Sequence, residues 1–296
     1  MSFFITKILQ FFLFILGLIP LWVVDSACWL IMFGRKTFYM PKLLGPTKTI
    51  NTNLRLAFPE LDNIEILSLT RISIVETMKT IGELGLVWSR LPGRNLSKHI
   101  KARGLDSVSD SLDKKNGLIL FAPHLSNVEV MLNCVARHLP CMVLYTPSKN
   151  KYFDKVMLAA RNKMGAEMVE PNIAGVKSML NQLKQGGVVL IASDQVPNLE
   201  GGLLSNFFST PALTMTLASK LKLKTGAPSR AVYCLRKPTG TRFEVVFSRE
   251  IEGMDLGMQS SVDRMNEELE KCIMNAPEQY AWEYKRYKHS GLKDIY

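Results

Sequence analysis

The sequence predicts an α/β fold: a mainly parallel central sheet flanked by helices, with an N-terminal membrane helix. Three observations lead there. From residue 117 onward, short apolar runs bounded by turn residues alternate with helix-like stretches. Near the end, two β-rich runs flank Pro238-Thr239-Gly240, a β-hairpin signal. At the start, the 27 residues between Lys7 and Arg35 carry one formal charge, Asp25. Repeated strand–helix units require a sheet covered on both faces.

Taken in order, residues 8–36 come first. An apolar stretch of this length with a single charge is enough to cross a hydrocarbon core of about 30 Å. Pro20 and Asp25 interrupt it, so two short membrane-embedded helices are an alternative to a single pass. A signal peptide is the competing reading, but its apolar region would be shorter and followed by a small-residue cleavage site. A buried first helix of a soluble protein is a further one. Arg35, Lys36, Lys42 and Lys48 follow closely, which places the remaining chain on the cytoplasmic side of an inner membrane. Residues 1–36 are therefore read as an anchor and 37–296 as a single cytoplasmic-face domain.

Residues 63–90 space their apolar side chains as one long amphipathic helix closed by Pro92-Gly93. The strand-like runs are 117–123, 141–147, 166–171 and 187–194, each but the last followed directly by a helical segment; after the last come a Gly-rich loop and "PALTMTLASKLKLKTG". The hairpin runs are "SRAVYCLRK" and "TRFEVVFSRE". In such sheets ligands bind at the carboxyl ends of the strands. His124 lies just past one strand end and Asp194 at another.

Composition narrows the function classes. There are 37 Lys and Arg against 26 Asp and Glu, a net charge of +11, which favours an anionic partner. Five scattered cysteines with no C-x-x-C pair argue for reduced core thiols rather than a disulfide scaffold or zinc site. No metal site is expected. No nucleophile elbow, P-loop or dinucleotide fingerprint occurs. Aromatic residues interleave with basic ones only in "YKRYKHS", so nucleic acid is not the expected partner.

The residues "FAPHLSNVEVML" (121–132) hold an imidazole and, five positions later, a carboxylate. On a continuous helix the two would diverge by about 140°. They face each other only if His124 precedes the helix and Glu129 sits on its first turns. Pro123 and the capping residues Ser126 and Asn127 permit that. One reading is a helix cap with a satisfied core acid. The other is a general base with Glu129 orienting it.

"PHLSNVE" resembles the His-(four residues)-acid motif of the glycerolipid acyltransferase superfamily, and its Glu resembles the lipid A branch, the lauroyl/myristoyl acyltransferases. "NLRLAFPEL" (53–61), "RNKMGAEMVEPN", "LKQGGVVLIASDQVP", "FFSTPALTMTLASKL" and "PEQYAWEYKRYK" (277–288) are similar to that family's other signatures, in its order. Two positions depart: Val128 stands where the family usually has Trp, and Ser209 where it usually has Gly. The acyl-chain pocket is where they bear.

The resemblance implies transfer of an acyl group from acyl carrier protein to a hydroxyl of a 3-hydroxyacyl chain on a lipid A precursor, with no cofactor. In it His124 is the base and Glu129 orients it. No nucleophile matches the family's blocks, so direct transfer is expected rather than an acyl-enzyme. Arg161 would stabilise the thioester oxyanion or bind a sugar phosphate; the alternative is an exposed helix arginine. Asp194 would hold Arg161 or a sugar hydroxyl; the alternative is a turn residue. Trp282, Lys285 and Arg286 fit either an interfacial, phosphate-contacting tail or an amphipathic end helix with a solvated basic face. The expected partners are acyl carrier protein, a lipid A precursor and the membrane. Another glycolipid or aminolipid acceptor, or a non-catalytic lipid-binding relative, is the alternative.

Overall fold

The computed structural model describes residues 2–38, 47–89, 96–112, 117–239 and 241–296. Lys42 of the basic residues after the anchor, and Pro92-Gly93 and Gly240 of the turn signals, lie outside them. Two apolar helices open the chain, α1 (Ser2–Leu18) and α2 (Leu21–Phe38). The apolar stretch is thus not one continuous helix. It breaks before Pro20, which cannot supply a backbone N–H to continue the helix, and the two halves are bent by 100°. No single helix among the described residues is long and apolar enough to cross a membrane, whereas the bent pair together passes that test.

Helix α3 (Thr47–Ala57) precedes the long α4 (Asn63–Ser89). Asp62 starts α4: its Oδ1 accepts from Ile64 N at 2.7 Å and Glu65 N at 2.8 Å. Glu65 Oε2 in turn accepts from Asp62 N at 2.8 Å, a reciprocal capping box. The helix runs almost as far as its apolar spacing predicts. Strand β1 (Ile100–Arg103) and α5 (Leu105–Leu112) follow, and the apolar pattern did not signal either.

The predicted strand–helix series then appears: β2 (Leu118–Ala122), α6 (Val128–His138), β3 (Cys141–Leu144), α7 (Lys151–Met164), β4 (Glu167–Val169), α8 (Ile173–Lys184) and β5 (Val188–Ala192). A small antiparallel pair, β6 (Gly202–Phe207) and β7 (Thr210–Met215), occupies the stretch after the Gly-rich loop. Its turn includes the Ser209 departure, and the left-handed backbone there falls on Phe208 at φ 52°. Next are α9 (Leu217–Thr225), β8 (Ser229–Arg236), β9 (Phe243–Phe247) and α10 (Met258–Ile273).

Seven strands form one sheet in the order β1-β9-β8-β2-β5-β3-β4, parallel throughout except for the β8–β9 hairpin. Alternation along β2 divides the core. Ile119 and Phe121 point to the side covered by α3, α8, α9 and α10, and Leu118 and Leu120 to the side of α5, α6 and α7. All five cysteines are buried and free.

The tail corrects the sequence reading. Trp282 is fully buried and donates from Nε1 to Pro277 O at 2.7 Å. Arg286, 1% exposed, donates to Leu213 O and Thr214 Oγ1 at 2.7 Å each and stacks over Phe207. The segment is neither an interfacial tail nor a helix with a solvated basic face, because it threads back into the core. Of the three residues only Lys285 is left outside, over the Tyr296 ring.

Candidate active site

Sheet register brings the first pair together. Strands β2 and β5 are parallel neighbours with Ala122 opposite Ala192, so the residues two places beyond each strand end lie side by side. Those residues are His124 and Asp194. His124 Nδ1 is 2.7 Å from Asp194 Oδ1, and the His124 backbone N–H donates to Oδ2 at 2.7 Å. Asp194 therefore fixes both the ring and the loop that carries it. Bonding at Nδ1 leaves Nε2 as the nitrogen able to accept a proton, and Gln195 Nε2 lies 3.3 Å from it.

Burial pulls the His124 pKa down, but the charge and hydrogen bond of Asp194 outweigh it and leave the imidazole above its ordinary value. Burial likewise pushes the Asp194 carboxyl up, and the same pairing overcomes it, so this carboxyl stays ionised below the usual range. Replacing Asp194 with Asn removes what raises the imidazole. NMR titration of the variant is expected to show the His124 pKa lower than in the wild type; an unchanged value would mean the pair does not set it.

Glu129 is not the group on His124, which corrects the sequence expectation. Asn127 caps α6, its Oδ1 accepting from Glu129 N at 3.1 Å and Val130 N at 3.2 Å, so Glu129 sits in the first helical turn as anticipated. From there its side chain meets α7 and α4. Arg161 donates from Nη2 to Oε1 at 2.6 Å and from Nε to both oxygens at 3.2 Å, and Trp88 Nε1 donates to Oε2 at 3.0 Å. The two carboxylates have exchanged the partners assigned to them from sequence: Asp194 holds His124, and Glu129 holds Arg161. Strand register places Asp194 beside the imidazole, whereas the turn of α6 carries Glu129 toward α7.

Both pairs open on one cleft of about 380 Å³ lined by His124, Glu129 and Arg161 and by the apolar Ile81, Leu84, Trp88, Val128, Phe153 and Met157. Glu283 also faces it; burial raises its carboxyl above the usual range. Residues 126–127 are held from outside by Ser126 N donating to Gln279 O at 2.7 Å, and Ser126 adopts a left-handed φ of 55°. A non-glycine residue in that conformation costs about 1–3 kcal/mol and is found where a loop must be aimed. Sequence reasoning did not single out Gln195, Trp88 or Glu283. Only Gln195 carried a signal, as the neighbour of Asp194.

An imidazole fixed by a carboxylate, next to an arginine and an apolar slot, is an arrangement able to take a proton from a hydroxyl beside an apolar group. The chain belongs to the bacterial lipid A biosynthesis acyltransferase family, whose description matches residues 1–289. It is 26% identical over 280 residues to the lipid A biosynthesis palmitoleoyltransferase of Escherichia coli K12, covering 92% of this chain and 89% of that protein. To the lauroyltransferase of the same organism it is 26% identical over 283 residues, covering 92% and 90%. A lipid A biosynthesis acyltransferase of Haemophilus influenzae is 24% identical over 243 residues, covering 80% and 75%.

Proposed function

We propose that this chain transfers a fatty acyl group from acyl carrier protein to the hydroxyl of a 3-hydroxyacyl chain on a lipid A precursor. The observation that carries the proposal is the His124–Asp194 pair opening on the apolar cleft. His124 Nε2 takes the proton of the acceptor hydroxyl, and Asp194 stabilises the resulting imidazolium. The alkoxide oxygen attacks the thioester carbonyl. The tetrahedral intermediate collapses with loss of the thiolate, which receives the proton from the imidazolium. Arg161, held by Glu129, offers positive charge to the oxyanion or to a phosphate on the acceptor. No cofactor is required.

The bent N-terminal pair supports a membrane location on the cytoplasmic face of the inner membrane. Trp22 and Phe33 are each 71% exposed, and Phe4, Phe11 and Leu30 are exposed beside them. Large aromatic and aliphatic side chains exposed in this number are stable against lipid and costly in water. The surplus of positive charge suits both an acidic carrier protein and a phosphate-bearing lipid.

The test is incubation of the purified chain with an acyl-carrier-protein thioester and a tetra- or penta-acylated precursor. Mass spectrometry is expected to show a gain of one acyl group as an ester; an unmodified precursor would reject the proposal. The same assay reads chain length. Val128 lines the cleft near Trp88 and Phe153. In Val128→Trp the added ring fills space that a long chain would occupy. The ratio of longer to shorter acyl product is expected to fall about tenfold, a few methylenes' worth of discrimination.

A further inference from the structure

The N-terminal helix pair is built into the wall of the cleft. Helices α1 and α4 meet backbone to backbone at Gly17 and Gly85: a Cβ on Gly17 would lie 2.6 Å from Gly85 O, and one on Gly85 2.4 Å from Gly17 N. One turn away, Gly82 receives Val24 of α2. This stretch of α4, residues 81–88, is the one that supplies Ile81, Leu84 and Trp88 to the cleft.

The contact is also ionic. Asp25, the lone charge in the apolar stretch, takes a bidentate grip from Arg242 at 2.7 and 2.8 Å. Arg242 donates on to Glu83 Oε1 at 2.8 Å. Glu83, with a fully buried side chain, accepts from Asn127 Nδ2 at 2.9 Å, and Asn127 is the cap that fixes the Glu129 amide. Arg236 completes the cluster, donating to Glu83 at 2.7 Å twice and bonding Glu76, which also pairs with Lys79. Three acids and three bases balance. The chain Asp25–Arg242–Glu83–Asn127–Glu129 therefore runs without a gap from the N-terminal helices to the site.

We propose that Asp25 is a positioning residue: through Arg242 and Glu83 it sets the N-cap of α6, so that docking of the N-terminal helix pair determines how Glu129 and Arg161 are presented. The inference rests on the acyltransfer reading for its kinetic consequence but not for its structural one.

The test uses the full-length chain in lipid nanodiscs, with Asp25→Asn, Asn127→Ala and the double variant. Asp25→Asn is expected to lower kcat about five- to tenfold with KM for the acyl donor within about twofold, as for a coupling transmitted through packed groups. The double variant is expected to be no worse than Asn127→Ala alone, since both act through one chain; multiplying effects would overturn the proposal. Amide hydrogen exchange at Glu129 and Val130 is expected to quicken in Asp25→Asn and to stay at the wild-type rate in Arg264→Ala, which removes an exposed ion pair. Asp25→Glu keeps the charge and folds should Asn prevent folding; it is expected to quicken the same two amides, and wild-type exchange there would overturn the proposal. Exchange needs no substrate, so it decides the positioning claim even if the wild-type chain transfers no acyl group.

Discussion

Replacing His124 with alanine is expected to lower kcat for acyl transfer by about 10²–10⁴-fold, the usual worth of a positioned general base. The variant also takes the imidazole from the buried Asp194 carboxylate and leaves it the backbone N–H of residue 124, so some loss of stability is expected, and circular dichroism checks that the protein compared is folded. Asp194→Asn is expected to share much of the loss in kcat, because an amide can present its N–H to the ring and favour the wrong tautomer. It also lowers the imidazole pKa. The acidic limb of kcat/KM, where the base becomes protonated, should therefore move to lower pH in Asp194→Asn. Glu129→Gln is expected to lose activity by a different route. It weakens the hold on Arg161 but leaves the His124–Asp194 pair in place, so its acidic limb stays where the wild-type limb lies. Rates over a pH series in the three variants separate the roles. A wild-type rate in His124→Ala would remove the imidazole from the reaction, and a shifted limb in Glu129→Gln would return that carboxylate to His124.

What the sequence could and could not reveal follows from the range of each physical signal. Strands β2 and β5 read clearly because buried parallel strands are continuous apolar runs, and α4 because twenty-seven residues of helical spacing are hard to mistake. Strand β1 was missed because its burial alternates over only four residues, two of them basic, and the β6–β7 pair because its Pro and Thr residues mimic a loop. In the site, His124, Glu129, Arg161 and Asp194 were all named and all lie within or beside one cleft. Their pairing was not legible. Spacing along the chain suggested His124 with Glu129, but the decisive contact joins residues 70 apart, and only strand register brings them together. Trp282 and Arg286 failed for a related reason: local amphipathicity cannot report that Asn53 Nδ2, from α3, holds the Trp282 carbonyl at 2.6 Å and draws the tail inward.

Removing the Glu83 side chain is expected to be the most destabilising single change in the polar part of the molecule, about 3–5 kcal/mol for Glu83→Ala. The figure follows from what is left behind. Arg236, with 3% of its side chain exposed, loses its two bonds at 2.7 Å, Arg242 loses one at 2.8 Å, and Asn127 loses its acceptor. Two guanidiniums would then keep only Asp25 and Glu76 as carboxylate partners, one of them deep in the core where water cannot replace the missing carboxylate. By contrast Glu267→Ala breaks an ion pair whose members are about half exposed, and is expected to move stability by less than about 1 kcal/mol. Denaturant unfolding of the two variants in matched detergent measures the contrast; similar midpoints would show that the buried cluster contributes no more than a surface pair. The pH dependence carries the same sign. Burial pushes the Glu83 carboxyl up, but Arg236, Asn127 and Arg242 together outweigh it and hold its pKa below the usual value. A depressed folded-state pKa stabilises above the unfolded value of about 4.3 and is lost as the pH falls through the folded one. Glu83→Gln, which cannot titrate, is expected to be less stable than the wild type at neutral pH and to lose less on acidification, so that the gap between the two narrows as the pH falls below about 4.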